Sequence, residues 1–89
     1  MRWRPTGDGS FPYACRLEER WWVLRVNAFP DHPLYTVLVD GRFDTDLEDW
    51  PAAWERAEEP VDATEALAGV RGFTAYGSES GDPCGCPYC

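Results

Sequence analysis

The chain has 89 residues, of which 44% are hydrophobic and 15% aromatic, and it carries a formal net charge of −8. That length supports one small domain with a modest core, burying about 60–65% of the surface of its unfolded chain, and the apolar content excludes wholesale disorder. The charge excludes direct binding to nucleic acid or to an anionic membrane, because neutralising phosphate requires clustered cations.

The charge is unevenly distributed. Residues 44–65 carry Asp44, Asp46, Glu48, Asp49, Glu55, Glu58, Glu59, Asp62 and Glu65 against Arg56 alone. Such a segment can attract a basic protein partner, and it also keeps a surface solvated. Every positive side chain is Arg and none is Lys, which points to a GC-rich bacterial genome. The start, Met1-Arg2-Trp3-Arg4-Pro5, has positive charge with no apolar stretch behind it. The longest apolar run, Trp21-Trp22-Val23-Leu24, is far too short to span a bilayer. The expectation is a cytoplasmic location, where thiols stay reduced.

In chain order, residues 1–10 are rich in Gly, Pro and polar groups and predict a flexible arm. From Phe11 the pattern alternates: Tyr13, Cys15 and Leu17 against Ala14, Arg16 and Glu18, a strand. Glu18-Glu19-Arg20 predicts a turn. Trp21 to Phe29 predicts a second strand, with Trp22, Leu24, Val26 and Ala28 on one face and Trp21, Val23, Arg25 and Asn27 on the other. Adjacent tryptophans in a strand require cover on both faces, or a binding surface on one. Pro30-Asp31-His32-Pro33 interrupts the pattern, and Leu34 to Val39 resumes it. Asp40-Gly41 is a two-residue hairpin signal, since both positions of a type I′ turn need positive φ. Arg42-Phe43-Asp44 begins a fourth strand.

After Asp49 the period changes. Trp50 and Trp54 lie four apart, with Ala53 and Ala57 beside them, and predict a helix that Glu59-Pro60 ends. Asp62-Ala63-Thr64-Glu65 has the form of a capping box, with Val61 positioned to staple on Ala66. It opens a second short helix that stops near Gly69. Gly72 to Tyr76 predicts a last strand, and residues 78–89 a loop and tail packed on the domain formed by residues 11–77. The fold class is therefore α+β: a small antiparallel meander of three to five strands, one or two short helices on one face, and a Cys-rich C-terminal tail.

The tail supplies the chemistry. Three of the four cysteines lie within Cys84-Gly85-Cys86-Pro87-Tyr88-Cys89. Two thiolates two residues apart, Cys86 and Cys89, converge readily on a tetrahedral zinc ion, Cys84 can supply a third ligand and Cys15 the fourth, with His32 or Asp82 as substitutes. A structural zinc would help so small a core. Cys86-Pro87-Tyr88-Cys89 also resembles the active-site motif of glutaredoxins. In that family the motif sits at the start of a helix, whose dipole lowers the first thiol's pKa. The expectation here is that no helix follows Cys89. The four-residue resemblance therefore implies neither the glutaredoxin fold nor its activity, only a dithiol in which Cys86 attacks and Cys89 resolves.

Asp44, Asp46, Glu48 and Glu55 echo the ligand spacing of an EF-hand calcium loop, but Asp49 replaces its glycine and Pro51 interrupts it. No nucleophile elbow, phosphate-cradling glycine loop or paired metal-binding histidines occur, and His32 is the single histidine. The reading is a non-enzymatic acidic binding or regulatory protein with a zinc site at Cys84, Cys86, Cys89 and Cys15. Trp50, Trp54, Glu55, Glu58 and Glu59 form the candidate partner surface. A thiol redox protein and an immunity- or antitoxin-like protein that neutralises a basic partner are the alternatives.

Overall fold

A computed structural model describes residues 1–27, 32–74 and 76–77. Six strands and one helix follow in chain order: β1 (Arg2–Pro5), β2 (Tyr13–Leu17), β3 (Arg20–Val26), β4 (Tyr35–Val39), β5 (Arg42–Leu47), β6 (Glu55–Arg56) and α1 (Ala63–Ala66). They form one sheet in the order β5-β4-β3-β2-β1-β6. The α+β class and the antiparallel meander hold for β1 to β5. The sheet is larger than expected and mixed, because β6 pairs with β1 in parallel.

The hairpins follow from local chemistry. Asp40 and Gly41 have φ of 51° and 79°, as a type I′ turn requires. Gly41 is required twice over, because a Cβ there would lie 2.7 Å from the Gly69 carbonyl oxygen. The β2–β3 turn is less well suited: Glu18 and Glu19 sit at φ of 54° and 65°, a conformation that crowds any Cβ.

Period-2 alternation sends Ala14, Val23 and Leu38 to one face, where they pack with Phe11, Ala66, Leu67 and Val70. Cys15, Leu24 and Val37 point to the other face and pack with Trp3. Trp21 packs at the first core and Trp22 at the second, so both faces are covered. Asp62 caps α1 by accepting from the Thr64 and Glu65 amides, and Val61 packs against the core cluster that contains Ala66.

Three expectations require correction. Residues 1–10 are not a free arm: Arg2–Pro5 lies between β2 and β6, and Trp3 is fully buried. The remainder of that segment is a tied loop, in which Asp8 Oδ1 accepts from the Ser10 and Phe11 amides and the Thr6 hydroxyl donates to the Phe11 carbonyl.

The helix over residues 50–59 does not form. One tight turn, Trp54 N–H to Pro51 C=O at 3.0 Å, brings Trp50 and Trp54 together. The chain then runs extended, and the Glu55 and Ala57 amides donate to the carbonyls of Met1, just before β1, and of Trp3 within it. Pairing with β1 satisfies these backbone groups, and Trp54 gains a ring contact with Trp3 at 4.9 Å. Segment 72–76 forms no strand among its described residues. Phe73 instead closes a turn on Val70 and accepts a hydrogen bond from Arg25. No helix among the described residues is long and apolar enough to cross a membrane.

The outer strand β5 carries a bulge. Thr45 pairs with Val37 and Phe43 with Leu38, leaving Asp44 as the extra residue. A bulge bearing a carboxylate on an edge strand discourages pairing with another chain.

The strained β2–β3 turn makes a direct prediction. Replacing Glu18→Asn and Glu19→Gly together supplies the residues a type I′ turn favours and should stabilise the fold by about 1 kcal/mol. A rise in the urea midpoint at unchanged slope checks this, and a fall would contradict the turn geometry.

Candidate functional site

The acidic segment winds around the sheet. Asp44 and Asp46 lie on β5 at one edge. Residues 48–54 then cross the face that holds Trp3, and Glu55 emerges on β6 at the opposite edge. Glu58 and Glu59 follow, and Val61 reaches the core on the other face. Tertiary packing of Trp50 and Trp54 sets this path. Trp50 meets Tyr13, Tyr35 and Trp54 edge-on at 5.4, 6.3 and 5.7 Å, and its indole N–H donates to the Trp54 carbonyl. The Arg56 guanidinium lies over the Trp50 ring at 4.2 Å.

Both tryptophans pack on the sheet, while Glu55, Glu58 and Glu59 are exposed around them. Among the described residues, no carboxylate from Asp44 to Asp62 forms an ion pair. Ion pairs among the described residues lie elsewhere, at Arg16–Glu65, Arg20–Asp40 and Arg71–Asp8, with Asp8 alone part-buried.

The calcium-loop spacing does not become a calcium loop. Asp44 and Asp46 are in β5, and Glu55 is in β6 across the whole width of the sheet. Asp46 is also engaged, accepting from the Thr36 hydroxyl at 2.7 Å and the Tyr76 hydroxyl at 2.8 Å. It ends a chain of aligned hydrogen bonds that begins at Arg25. The Arg25 Nε–H donates to Asn27 Oδ1, and Asn27 Nδ2 donates to the Thr36 hydroxyl. Arg25 is fully buried, and this relay connects its charge to a carboxylate rather than leaving it in an apolar core. The cluster also fastens the chain after α1, because Arg25 Nη1 donates to the Phe73 carbonyl and His32 stacks on Tyr76 at 4.4 Å.

Cys84, Cys86 and Cys89 lie outside the described residues, as does Asp82. Cys15 is buried between β1 and β3 on the face that holds Trp3 and Leu24. Burial pushes its thiol up to about 11, so at neutral pH it is protonated and packs as a small apolar group. To bind zinc it would have to lose both that proton and its place in the core. Among the described residues, no group of three His, Cys, Asp or Glu side chains is arranged to hold a metal ion.

One concave feature was not expected. A half-open groove of about 230 Å³ lies where the β4–β5 hairpin meets α1. Trp21 forms a wall, and Val23, Ala66 and Val70 line it with apolar surface. Asp40 comes from the hairpin and Glu65 from the helix. Asp40 Oδ1 accepts from the Trp21 amide at 3.2 Å, which holds the carboxylate at the groove. At the rim, the Arg16 guanidinium lies 5.4 Å from the Trp21 ring and 3.7 Å from the Glu65 carboxylate. The sequence signal for this site is faint, because its residues come from three separate stretches of chain. Comparison with protein-family models, curated proteins and solved structures found no match.

The Cys15 thiol supplies a pH test. Below about 8.5 the thiol is protonated in both the folded and unfolded chain, and its contribution to stability is complete. As pH rises, the unfolded thiol ionises first, so the contribution is lost between there and about 11. The unfolding midpoint should therefore fall more steeply across this window than that of Cys15→Ala, which shares every other titrating group. Parallel curves would contradict a desolvated thiol.

Proposed function

We propose that the protein is a small acidic binding protein, without catalytic chemistry of its own, that takes a basic protein partner against the carboxylates of residues 44–59. The observation that carries this reading is the unpaired state of that charge. Among the described residues the segment's carboxylates make no ion pairs, while its apolar side chains are used to cover the sheet. Fixed, unneutralised charge on a rigid support attracts an oppositely charged surface and speeds encounter with it. Neutralisation of a basic partner, as immunity and antitoxin proteins do, is the form of binding that such a surface serves.

The test is capture of a basic partner on the immobilised protein at low salt. The complex should dissociate as ionic strength rises past the range where the screening length is about 8–10 Å. The triple variant Glu55→Lys, Glu58→Lys and Glu59→Lys should lose it at low salt as well. All three side chains are exposed, so the variant should keep its fold. Capture indifferent to salt and to charge reversal would end this reading.

The cysteine spacing supports a second, independent proposal, that Cys84, Cys86 and Cys89 hold one structural zinc ion. Native mass spectrometry of protein purified without chelator should then show the apoprotein plus one zinc, and chelation should lower the unfolding temperature. A metal-free mass lighter by two protons would instead favour thiol–disulfide chemistry at Cys86 and Cys89.

A further inference from the structure

We propose that the groove between the β4–β5 hairpin and α1 is an anchor pocket for a single cationic side chain, arginine above all, of the basic partner. The inference rests on the basic-partner reading for the source of that side chain, but the pocket's chemistry is argued separately. Its volume of about 230 Å³ falls below the roughly 300–1,000 Å³ of pockets that bury drug-sized ligands. It suits one extended side chain.

Trp21 and Ala68 offer the accessible apolar contact to an aliphatic stem, over a floor formed by the buried Val23, Ala66 and Val70, while Asp40 and Glu65 bring carboxylates from two different elements. Arginine and lysine have this divided character, an apolar stem and a charged head. Trp21 adds an indole ring, the best of the aromatic faces for a cation.

The chain itself demonstrates the recognition at the rim. Arg16 lies over Trp21 and reaches Glu65 with its guanidinium, so these two groups already accept that cation together. Arg16 and Glu65 are both more than half exposed, with side-chain accessibilities of 51% and 62%. A pair so exposed is weakly held, and an incoming guanidinium can replace it. Arginine is favoured over lysine because its planar head both stacks on indole and bonds carboxylates through two N–H groups.

The test is titration of the ¹⁵N-labelled protein with N-acetyl-arginine amide, with N-acetyl-leucine amide as the uncharged control. The Trp21 indole and Gly69 amide signals should shift and saturate at millimolar ligand with arginine and not with leucine. The double variant Asp40→Asn and Glu65→Gln removes both charges. Asn is well tolerated at the positive φ of position 40, and its side-chain oxygen can still accept from Trp21. This variant should bind arginine amide about tenfold more weakly, the loss expected when two exposed charge interactions disappear.

Absence of shifts at Trp21 and Gly69, equal response to leucine amide, or unchanged affinity in the double variant would each overturn the proposal. The Glu55, Glu58 and Glu59 reversal should leave arginine-amide binding unaltered. Loss of partner capture in that variant with no arginine binding in the wild type would therefore sink the groove and spare the acidic surface. Arginine binding without any salt-sensitive capture would do the reverse.

Discussion

A strand must send consecutive side chains to opposite sides of its sheet, and β3 has large apolar groups on both. Trp21 and Val23 face one way, Trp22 and Leu24 the other. A sheet built around such a strand needs two covers, and a chain this short has little material to provide them. One cover is the short helix with the turn behind it, through Ala66, Leu67 and Val70. The other has no helix. It is assembled from Trp3 on a terminal strand and from Trp50 and Trp54 on an irregular segment, with ring contacts between them. Aromatic side chains cover a large area per residue, and so two of them on a few residues of extended chain can do what a helix would do elsewhere. That solution tolerates a cost: the Trp3 and Trp22 indole N–H groups are buried without hydrogen-bond partners among the described residues.

This second cover fixes where the charge goes. To bring Trp50 and Trp54 onto the face and then pair with β1, the chain must travel from the β5 edge to the β6 edge. The residues that flank these anchors include the exposed acids Glu48, Asp49, Glu55, Glu58 and Glu59. The acidic character of residues 44–59 and the aromatic cover are therefore one feature seen from two sides. The polar relay from Arg25 to Asp46 plays a related part on the other face. It ties β3, β4, β5 and the chain beyond α1 into a single hydrogen-bonded seam.

The sequence is legible where the physics is local. The Asp40-Gly41 turn, the Glu18-Glu19 turn, the Asp62 cap and the opposed faces of Trp21 and Trp22 depend on a few neighbouring residues, and each appears where the pattern puts it. Legibility fails where distant pairing decides. Arg2-Trp3-Arg4 holds only one apolar residue, too few to show a period of two, yet that residue is a fully buried core tryptophan. The four-residue spacing of Trp50 and Trp54 fits a helix equally well as a tight turn, and hydrogen bonds to the chain at Met1 and Trp3, 54 residues away in sequence, choose the turn.

The candidate sites divide in the same way. Exposed acids such as Glu58 and Glu59 could be identified directly, whereas the groove exists only once residues 21, 40–41 and 65–70 are brought together. Cys15 shows the limit of reading by residue type. Its chemistry is set by burial in an apolar cluster assembled from several strands.

The central claim is that an N-terminal strand and an aromatic loop segment close the second face together. Amide hydrogen exchange at Glu55 and Ala57 tests it most directly. The Glu55 amide donates to the Met1 carbonyl beside the terminal strand and the Ala57 amide to the Trp3 carbonyl within it, and Glu55, being exposed, owes any protection to that pairing. The account predicts that they exchange slowly and in step with Val23 and Leu24 at the centre of the sheet. Exchange at the rate of an exposed loop, with the centre still protected, would mean that the terminal strand is not docked and that the path of the acidic segment is wrong.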